Sequence, residues 1–233
     1  YSLVGIGAYV YLQSQTSPLT PTQIAELNAQ NINAFDRYAT QNYSDKIAKT
    51  SDLLVPASCI LSVAIPGLIA FQKSQNSKEF WNHSSTLAVL CLEANMLSLV
   101  TNNVVKYSVL RNRPYTYNAD VSIDKKLKKD ARQSFYSGHT SFVATNSFFG
   151  AQVISDYYPK TWMSYSAWGI AATLPAIVGY MRVESGRHFP TDVITGYVLG
   201  AISGIAVPYL HKNNSAVTVG LASPQVFSFS LQF

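Results

Sequence analysis

Residues 181–200 read MRVESGRHFPTDVITGYVLG, and we take the rest of the chain to be organised around this stretch. Proline is well tolerated in the first turn of a helix, so the stretch predicts a helix that begins near Pro190. His188 then lies at the N-terminal mouth of that helix, and Asp192 lies about one turn further in. A carboxylate at this spacing can hold the Nδ1 proton of an imidazole and leave the other nitrogen free as base or nucleophile. Taken alone, the stretch fits an ordinary junction between a loop and a helix equally well.

A second stretch, KYSVLRNRP, runs from Lys106 to Pro114. Lys106 lies at the end of an apolar run and Arg113 follows seven residues later, which places two cations at one rim of a helix. An arginine can bind phosphate oxygens through its forked guanidinium, and a lysine supplies a mobile point charge. Taken alone, cations just outside a helix are commonplace. Arg111, between the two, is expected to be a solvated flanking charge.

A third stretch, SFYSGHTS, runs from Ser134 to Ser141. Ser137 is suited to cap a helix that begins here, and Gly138 allows backbone N–H groups to approach an anion closely. His139 then lies at the mouth of this second helix. A helix mouth favours anions, so the stretch predicts a place where a negatively charged group can bind.

The composition of the chain points to long apolar helices. Charged residues make up only 12% of the 233 residues, against roughly 25% in a typical soluble protein. Three runs contain no Asp, Glu, Lys or Arg over a length close to the about 20 residues of a bilayer span: Leu53–Gln72, Thr161–Met181 and Val193–Leu210. Two further runs, Ser84–Val105 and Thr140–Ser155, are interrupted by polar residues. We therefore predict an all-α helical bundle, integrated into a membrane with about five to six spans. A soluble protein with long buried helices would produce the same pattern.

The two ends of the chain differ from this apolar middle. Residues 1–52 are predicted to form an N-terminal segment with an amphipathic helix, which lies on a membrane surface or on the bundle. Residues 53–212 are predicted to form the helical bundle that carries all three stretches. Residues 213–233 alternate apolar and polar side chains around Ser223-Pro224, which predicts a small C-terminal β-hairpin or tail.

The charge distribution and the metal-ligand residues exclude some classes of protein. The net charge is +5, and the basic excess is concentrated between Lys106 and Arg132. It therefore describes one region, and the aromatic-plus-basic signature of a nucleic-acid-binding domain is lacking. His, Cys, Asp and Glu do not occur with metal-binding spacing, and the two cysteines lie in apolar runs. The sequence predicts neither a nucleic-acid partner nor a bound metal.

The three stretches together resemble the signatures of the type-2 phosphatidic acid phosphatase superfamily, which also includes soluble bacterial acid phosphatases and vanadium haloperoxidases. Their order and both long internal spacings match, and the resemblance covers about residues 90–210. Two positions depart from the family pattern. Tyr136 stands where a proline is common before Ser-Gly-His, and Met181 stands where a serine usually precedes the arginine. The second departure implies that one hydrogen bond to the phosphate is missing.

The resemblance implies a metal-independent phosphatase without a cofactor, which hydrolyses lipid phosphate monoesters or diphosphates through a phosphohistidine. His188, oriented by Asp192, is expected to attack phosphorus. His139 is expected to protonate the leaving group and then to activate the water that hydrolyses the intermediate. The phosphate oxygens are expected to be bound by three cations and one helix mouth: Lys106, Arg113, Arg182, Ser137 and Gly138.

The resemblance also implies the surroundings of the protein. Its partners are expected to be a phosphorylated lipid substrate and the bilayer, without an obligate protein partner. The expected location is a bacterial-type inner membrane, with the active site facing the periplasm or the exterior. Loop charges alone would place the site in the cytoplasm, but the site itself requires those cations. Three alternatives stay open: a soluble periplasmic acid phosphatase of broad specificity, a vanadate-dependent haloperoxidase, and a non-catalytic membrane protein that binds phospholipid.

Overall fold

The computed structural model describes residues 17–213, and every regular element in that range is helical. The polar N-terminal segment, predicted to hold an amphipathic helix, consists over residues 17–44 of short pieces. They are α1 (Pro21–Ala25), a 3-10 turn (Ala29–Asn31), α2 (Ala34–Arg37) and a second 3-10 turn (Tyr38–Gln41). The side chains of Thr20, Asn28 and Asn33 each accept a hydrogen bond from a backbone N–H of the piece that follows. Such side chains cap the start of a helical turn, and they compete with the backbone hydrogen bonds of a longer helix. This competition explains why the segment forms short pieces.

Two long helices follow, α3 (Asp45–Lys73) and α4 (Ser77–Val109). Ser44 caps α3 and Asn76 caps α4, in each case by accepting a hydrogen bond from a backbone N–H in the first turn. The α4 helix ends where Leu110 adopts a left-handed conformation with φ 50°. The connection to the next long helix contains a short helix, α5 (Ile123–Lys126), and two 3-10 turns.

Three more long helices complete the bundle: α6 (Gly138–Tyr157), α7 (Trp162–Glu184) and α8 (Pro190–Asn213). The α6 helix is the central one, since it packs against α3, α4, α7 and α8. As predicted, α8 begins at Pro190, and Ser137 caps α6.

The contact between α6 and α8 is unusually close because α8 presents glycines to it. Three of them lie four residues apart on one face of the helix: Gly196, Gly200 and Gly204. A Cβ atom on any of the three would lie within 2.5 Å of a backbone oxygen of α6 or of its cap, those of Ser137, Ser141 and Thr145 respectively. Small residues at this spacing allow two helix backbones to approach closely, as in membrane proteins.

Polar side chains fill part of the interior between α3, α4 and α6. Asn146 of α6 accepts hydrogen bonds from Ser62 (2.8 Å) and from Asn95 (3.1 Å), and it donates one back to Asn95 (3.1 Å). All three side chains are buried. These three polar residues of the apolar runs therefore face other helices, where their hydrogen bonds compensate their burial.

The predicted count of five to six spans is wrong. In the part of the chain that the structure describes, three helices are long and apolar enough to cross a membrane: α3, α4 and α8. The α6 and α7 helices are also long, but Ser, Thr, Asn and Tyr residues lower their apolar character. The predicted β-hairpin is not supported, since no strand occurs within residues 17–213 and the segment assigned to it lies beyond them.

Candidate active site

The three sequence stretches meet at one end of the bundle through backbone hydrogen bonds. Ser134 N–H donates to the carbonyl of Arg111 at 2.9 Å, which joins the second and third stretches. Ser137 N–H donates to the carbonyl of Asp192 at 3.0 Å, which joins the third stretch to the start of α8. The site predicted from three distant stretches is thus assembled in one place.

A tight turn brings His188 back towards Arg182 after α7 ends. Gly186 has a φ of 69°, a conformation that favours glycine. A Cβ atom there would lie 2.2 Å from the carbonyl oxygen of Asn42. Beyond this turn, His188 N–H and Arg187 N–H both donate to the carbonyl of Arg182, at 3.2 and 3.0 Å. The turn therefore fixes the nucleophile candidate beside one of the predicted phosphate ligands.

His188 is buried, with only 1% of its surface exposed. Its Nδ1 lies 2.7 Å from the carbonyl oxygen of Ser134, whereas the nearest carboxylate oxygen of Asp192 is 3.8 Å away. A backbone carbonyl only accepts, so Nδ1 carries the proton and Nε2 is left unprotonated in the neutral ring. The proton predicted to be held by Asp192 is held by Ser134.

Asp192 holds His188 indirectly, through residues that contact or adjoin the imidazole. One carboxylate oxygen accepts hydrogen bonds from the Ser134 hydroxyl at 2.5 Å and from the Phe189 N–H at 2.8 Å. The other oxygen is 2.5 Å from Arg111. Asp192 thus fixes both residues that flank the imidazole, Ser134 through its side chain and Phe189 through its backbone.

Arg111 is not the solvated flanking charge expected from the sequence. Its guanidinium bridges two fully buried carboxylates, those of Asp192 and Asp36, at 2.5 and 2.8 Å. It also lies 4.0 Å from the centre of the Phe189 ring. Burial raises the pKa of Asp36, but hydrogen bonds from Arg111 and Thr191 outweigh burial and hold the pKa below its usual value. Asp36 is therefore a charged partner of the site.

The three predicted cations lie near enough to His188 to lower its pKa. Burial lowers the pKa of His188 well below its ordinary value, and the nearby charges of Arg113, Arg182 and Lys106 lower it further. Lys106 also lies beside the start of α6, since a Cβ on Gly138 would lie 3.1 Å from its Nζ. His188 is therefore neutral and faces a positively charged space when no substrate is bound.

Two of these cations are held by neighbouring groups. Arg113 donates from Nε to the carbonyl of Asp130 at 2.7 Å and from Nη1 to the carbonyl of Arg187 at 3.1 Å. Arg182 donates from Nη1 to Asp52 at 2.8 Å and to the Ser51 hydroxyl at 3.0 Å. These contacts orient both guanidinium groups and, among residues 17–213, leave other N–H groups of each available to bind phosphate oxygens.

His139 shares Asp52 with Arg182. Its Nε2 is 2.8 Å from the same carboxylate oxygen that Arg182 binds. Burial, followed by the charge of Arg182, lowers the pKa of His139 to about 4. The ring is therefore neutral in the substrate-free protein, and the contact with Asp52 is a hydrogen bond that orients it.

The N-terminus of α6 is capped by Ser137, as the sequence predicts. Ser137 is fully buried, and its hydroxyl oxygen accepts the N–H of Thr140 at 3.4 Å. Asn102 holds the preceding turn by donating to the carbonyl of Tyr136 at 2.9 Å. A Cβ on Gly138 would lie 2.8 Å from the Asn102 side-chain oxygen, so the absence of a side chain permits this close approach.

Four residues at the site escaped the sequence reasoning. Ser134 and Arg111 lie inside the stretches that were singled out, so their polar or charged nature was a usable signal. Asp36 and Asp52 lie in or next to the N-terminal segment, and no motif marks them. Among residues 17–213, no three His, Cys, Asp or Glu side chains are grouped so that they could hold a metal ion.

Comparison with known proteins identifies relatives of the region that carries the site. The chain is 32% identical over 106 residues to an undecaprenyl-diphosphatase from Sulfolobus acidocaldarius. The match covers 46% of this chain and 46% of that protein, so it spans about half the length of the curated relative.

A solved structure resembles nearly the whole chain. It is a transmembrane PAP2 type phosphatidylglycerolphosphate phosphatase from Bacillus subtilis, and it matches with a TM-score of 0.52 and 20% sequence identity. The likeness covers 91% of this chain and 97% of that one, and at this identity it establishes the fold alone.

A family model matches residues 87–216, which is more than half of the chain and includes all three stretches. The resemblance predicted from the sequence is confirmed, and the chain belongs to the PAP2 superfamily.

Proposed function

We propose that the protein is a metal-independent phosphatase that hydrolyses lipid phosphate monoesters or diphosphates through a phosphohistidine on His188. The observation that carries the proposal is the environment of His188. The ring is buried and neutral, its Nδ1 proton is directed to the carbonyl of Ser134, and three cations lie near enough to lower its pKa. A neutral imidazole with a free Nε2, placed where a phosphate group is attracted, is arranged for nucleophilic attack.

In the first step, Nε2 of His188 forms a bond to phosphorus while the bond from phosphorus to the leaving oxygen breaks. Lys106, Arg113 and Arg182 neutralise the charge on the phosphoryl oxygens, and the N-terminus of α6 contributes its backbone N–H groups. The Nδ1 proton stays on the ring, where the carbonyl of Ser134 stabilises the positive charge that develops.

His139 supplies the proton that the leaving oxygen takes up. A bound phosphate dianion raises the pKa of this histidine, because it opposes the charge of Arg182 that lowers the pKa in the empty site. The neutral ring therefore takes up a proton from solvent when the substrate binds, and it passes this proton to the leaving oxygen. In the second step, His139 accepts a proton from water as the water oxygen bonds to phosphorus and the bond to His188 breaks. When inorganic phosphate leaves, the pKa of His139 falls again, its ring releases the proton to solvent, and both histidines return to the neutral state.

The surface of the bundle favours a membrane and a lipid substrate. Large apolar side chains on the outer faces of the long helices are more than 50% exposed: Leu53, Ile60, Leu68 and Phe71 on α3, Leu92 on α4, Ile170 and Ile177 on α7, and Ile194 and Ile202 on α8. An exposed apolar surface of this extent requires a covering layer. Hydrocarbon chains of a bilayer supply that layer, and a substrate anchored in them presents its phosphate at the end of the bundle.

The names of the relatives agree with this substrate class. The curated relative is described as acting on undecaprenyl diphosphate, and the solved one on phosphatidylglycerolphosphate. Both are phosphate groups carried by a lipid. We further propose that the site faces the periplasm or the exterior, as predicted from the family resemblance.

The test is release of phosphate in detergent with EDTA, for wild type and His188→Ala, over a panel of lipid phosphates, lipid diphosphates and p-nitrophenyl phosphate. We expect wild type to release phosphate in EDTA, and His188→Ala to be slower by roughly three orders of magnitude or more. His211→Ala is the control, because His211 pairs with Glu93 outside the site. Equal rates for wild type and His188→Ala would refute the role of His188.

The intermediate is tested separately with substrate that carries a radioactive phosphate. Quenching within one turnover is expected to leave label on wild type but not on His188→Ala, and the label is expected to be lost in acid and kept in alkali. Label on another residue, or none at any quench time, contradicts the phosphohistidine.

A further inference from the structure

We infer that Asp36 and Arg111 are positioning residues, which hold the proposed nucleophile His188 in place beside the predicted phosphate ligands. The inference rests on the proposed function of His188. Neither residue belongs to the predicted catalytic set, and Asp36 lies outside residues 87–216, the part of the chain that the family model matches. The N-terminal segment would then be part of the active site.

Asp36 is held as firmly as a residue in a protein core. Its side chain is 0% exposed, although it comes from the short helix α2 at the edge of the bundle. It accepts four hydrogen bonds from outside its own backbone: from Arg111 (2.8 Å), from the Thr191 N–H (3.0 Å), from the Thr191 hydroxyl (2.7 Å) and from Asn33 (2.8 Å). A buried carboxylate that is paired and fully hydrogen-bonded is costly to disturb.

The two bonds from Thr191 tie Asp36 to the first turn of α8. Thr191 is the second residue of this helix, and its N–H is one of those that have no partner within the helix. Asp36 supplies that partner and also places a negative charge at the positive end of the helix. The position of the α8 N-terminus, next to His188, thus depends on a residue more than 150 positions earlier in the chain.

Arg111 connects this anchor to the catalytic groups. Its two terminal nitrogens point to different carboxylates, Nη2 to Asp36 and Nη1 to Asp192. Nη1 also donates to the Thr191 hydroxyl at 2.8 Å. A rigid planar fork can bridge two carboxylates in this way, whereas the single ammonium of a lysine cannot reproduce the geometry.

Asp192 is connected to His188 through Ser134. Its carboxylate accepts the hydroxyl of Ser134, and the carbonyl of the same Ser134 holds Nδ1 of His188. The connected path is Asp36, Arg111, Asp192, Ser134 and His188. A nucleophile that is misplaced by about 1 Å can lose ~100-fold in rate, so the path bears on catalysis without any contact with the substrate.

The first experiment measures kcat and KM of the full chain in detergent for Asp36→Asn and Arg111→Lys. We expect kcat to fall roughly 10- to 100-fold in both variants and KM to change little, because the three cations that bind phosphate are untouched. The affinity for inorganic phosphate, measured as product inhibition, is expected to stay within about threefold of wild type.

Arg37→Gln is the matched control for a merely structural role. Arg37 lies next to Asp36 in α2 and holds the segment by donating to the carbonyls of Ile32 and Gln30, but it makes no bond to Arg111 or Asp192. This variant is expected to lower the thermal midpoint and to keep kcat per folded molecule. If Arg37→Gln lowers kcat as much as Asp36→Asn, the segment acts only through stability and the inference is wrong.

The second experiment does not depend on turnover. Nitrogen-15 NMR of histidine-labelled protein reports the protonated ring nitrogen of His188, assigned with His188→Gln. Wild type is expected to show a protonated Nδ1, and Asp36→Asn and Arg111→Lys a mixture of both ring tautomers.

The two experiments separate the inference from the proposed function. If wild type releases no phosphate, the proposed function fails, and the NMR signal decides whether Asp36 and Arg111 position the ring. If both variants keep the wild-type signal and the wild-type kcat, the positioning role is refuted while the phosphatase stands.

Discussion

His188 lies among cations and keeps its own ring uncharged. Burial and the charges of Arg113 and Arg182 act in the same direction and lower its pKa. The carbonyl of Ser134 binds the Nδ1 proton and so selects the tautomer that leaves Nε2 free. At the scale of the residue, the protein therefore disfavours the protonated form of His188, which could not act as the nucleophile of the proposed mechanism.

This neutral histidine makes stability depend on pH. Native His188 binds fewer protons than unfolded His188, so its contribution is complete above the unfolded pKa of about 6.5 and decreases as the pH falls below it. The loss amounts to at most about 1.4 kcal/mol per pH unit. We expect the thermal midpoint of wild type to fall more steeply than that of His188→Gln between about pH 7 and about pH 5. Parallel curves for the two proteins would show that the native ring takes up a proton as readily as the unfolded one.

At the scale of the helix, the contact between α6 and α8 determines the distance between the two helix mouths of the site. Ser137 at the start of α6 is bonded to the carbonyl of Asp192 in the first turn of α8. Glycines on α8 let its backbone approach that of α6 at successive turns. The site geometry is thus set by backbone contact along the two helices and not only by the loops.

Gly200→Ala tests this contact. The added Cβ would lie 2.2 Å from the carbonyl oxygen of Ser141, which is part of the α6 backbone and cannot move aside by a side-chain rotation. We expect a loss of about 1–3 kcal/mol in stability, read as a lower thermal midpoint, and a lower kcat because α8 shifts.

Gly150→Ala is the matched control. Gly150 lies inside α6, and a Cβ there meets nothing within 4 Å. Replacing a helical glycine by alanine without a clash is expected to stabilise by roughly 0.5–1 kcal/mol. A gain in stability for Gly200→Ala as well would show that the two helices are not in close contact.

At the scale of the whole molecule, the bundle divides into a polar end and an apolar side. The charged and hydrogen-bonded groups are concentrated around the helix mouths, whereas the outer faces of α3, α4, α7 and α8 carry large exposed apolar side chains. Three of these helices, α3, α4 and α8, are long and apolar enough to cross a membrane. This division agrees with the proposal that the protein takes its substrate from a bilayer.

An aspartate introduced on the apolar side tests membrane integration. Ile60 is 66% exposed in α3, and Ile123 is 46% exposed in α5, outside the apolar helices. In a bilayer, Ile60→Asp costs about 2.5–3.5 kcal/mol of insertion free energy, so we expect much less protein in carbonate-washed membranes, with Ile123→Asp close to wild type. If neither aspartate changes the amount of protein in the membranes, and carbonate releases the wild type, the apolar side is exposed to water instead.

The sequence by itself was sufficient for several features that depend on near neighbours in the chain. The start of α8 at Pro190 and the cap of α6 by Ser137 follow from local backbone preferences, and the order of the three stretches was enough to recognise the family. The predicted span count was wrong because every long run without charged residues was counted as a span. Ser, Thr, Asn and Tyr residues lower the apolar character of α6 and α7, which leaves three helices in the described part of the chain.

Only the tertiary structure revealed how His188 is held. Asp192, four residues away, was the natural partner for Nδ1, but the carbonyl of Ser134 is closer and takes that place. Asp36 and Arg111 are joined across 75 residues. Such a pair follows no periodicity and no spacing rule, because it depends on where folding brings two distant segments together.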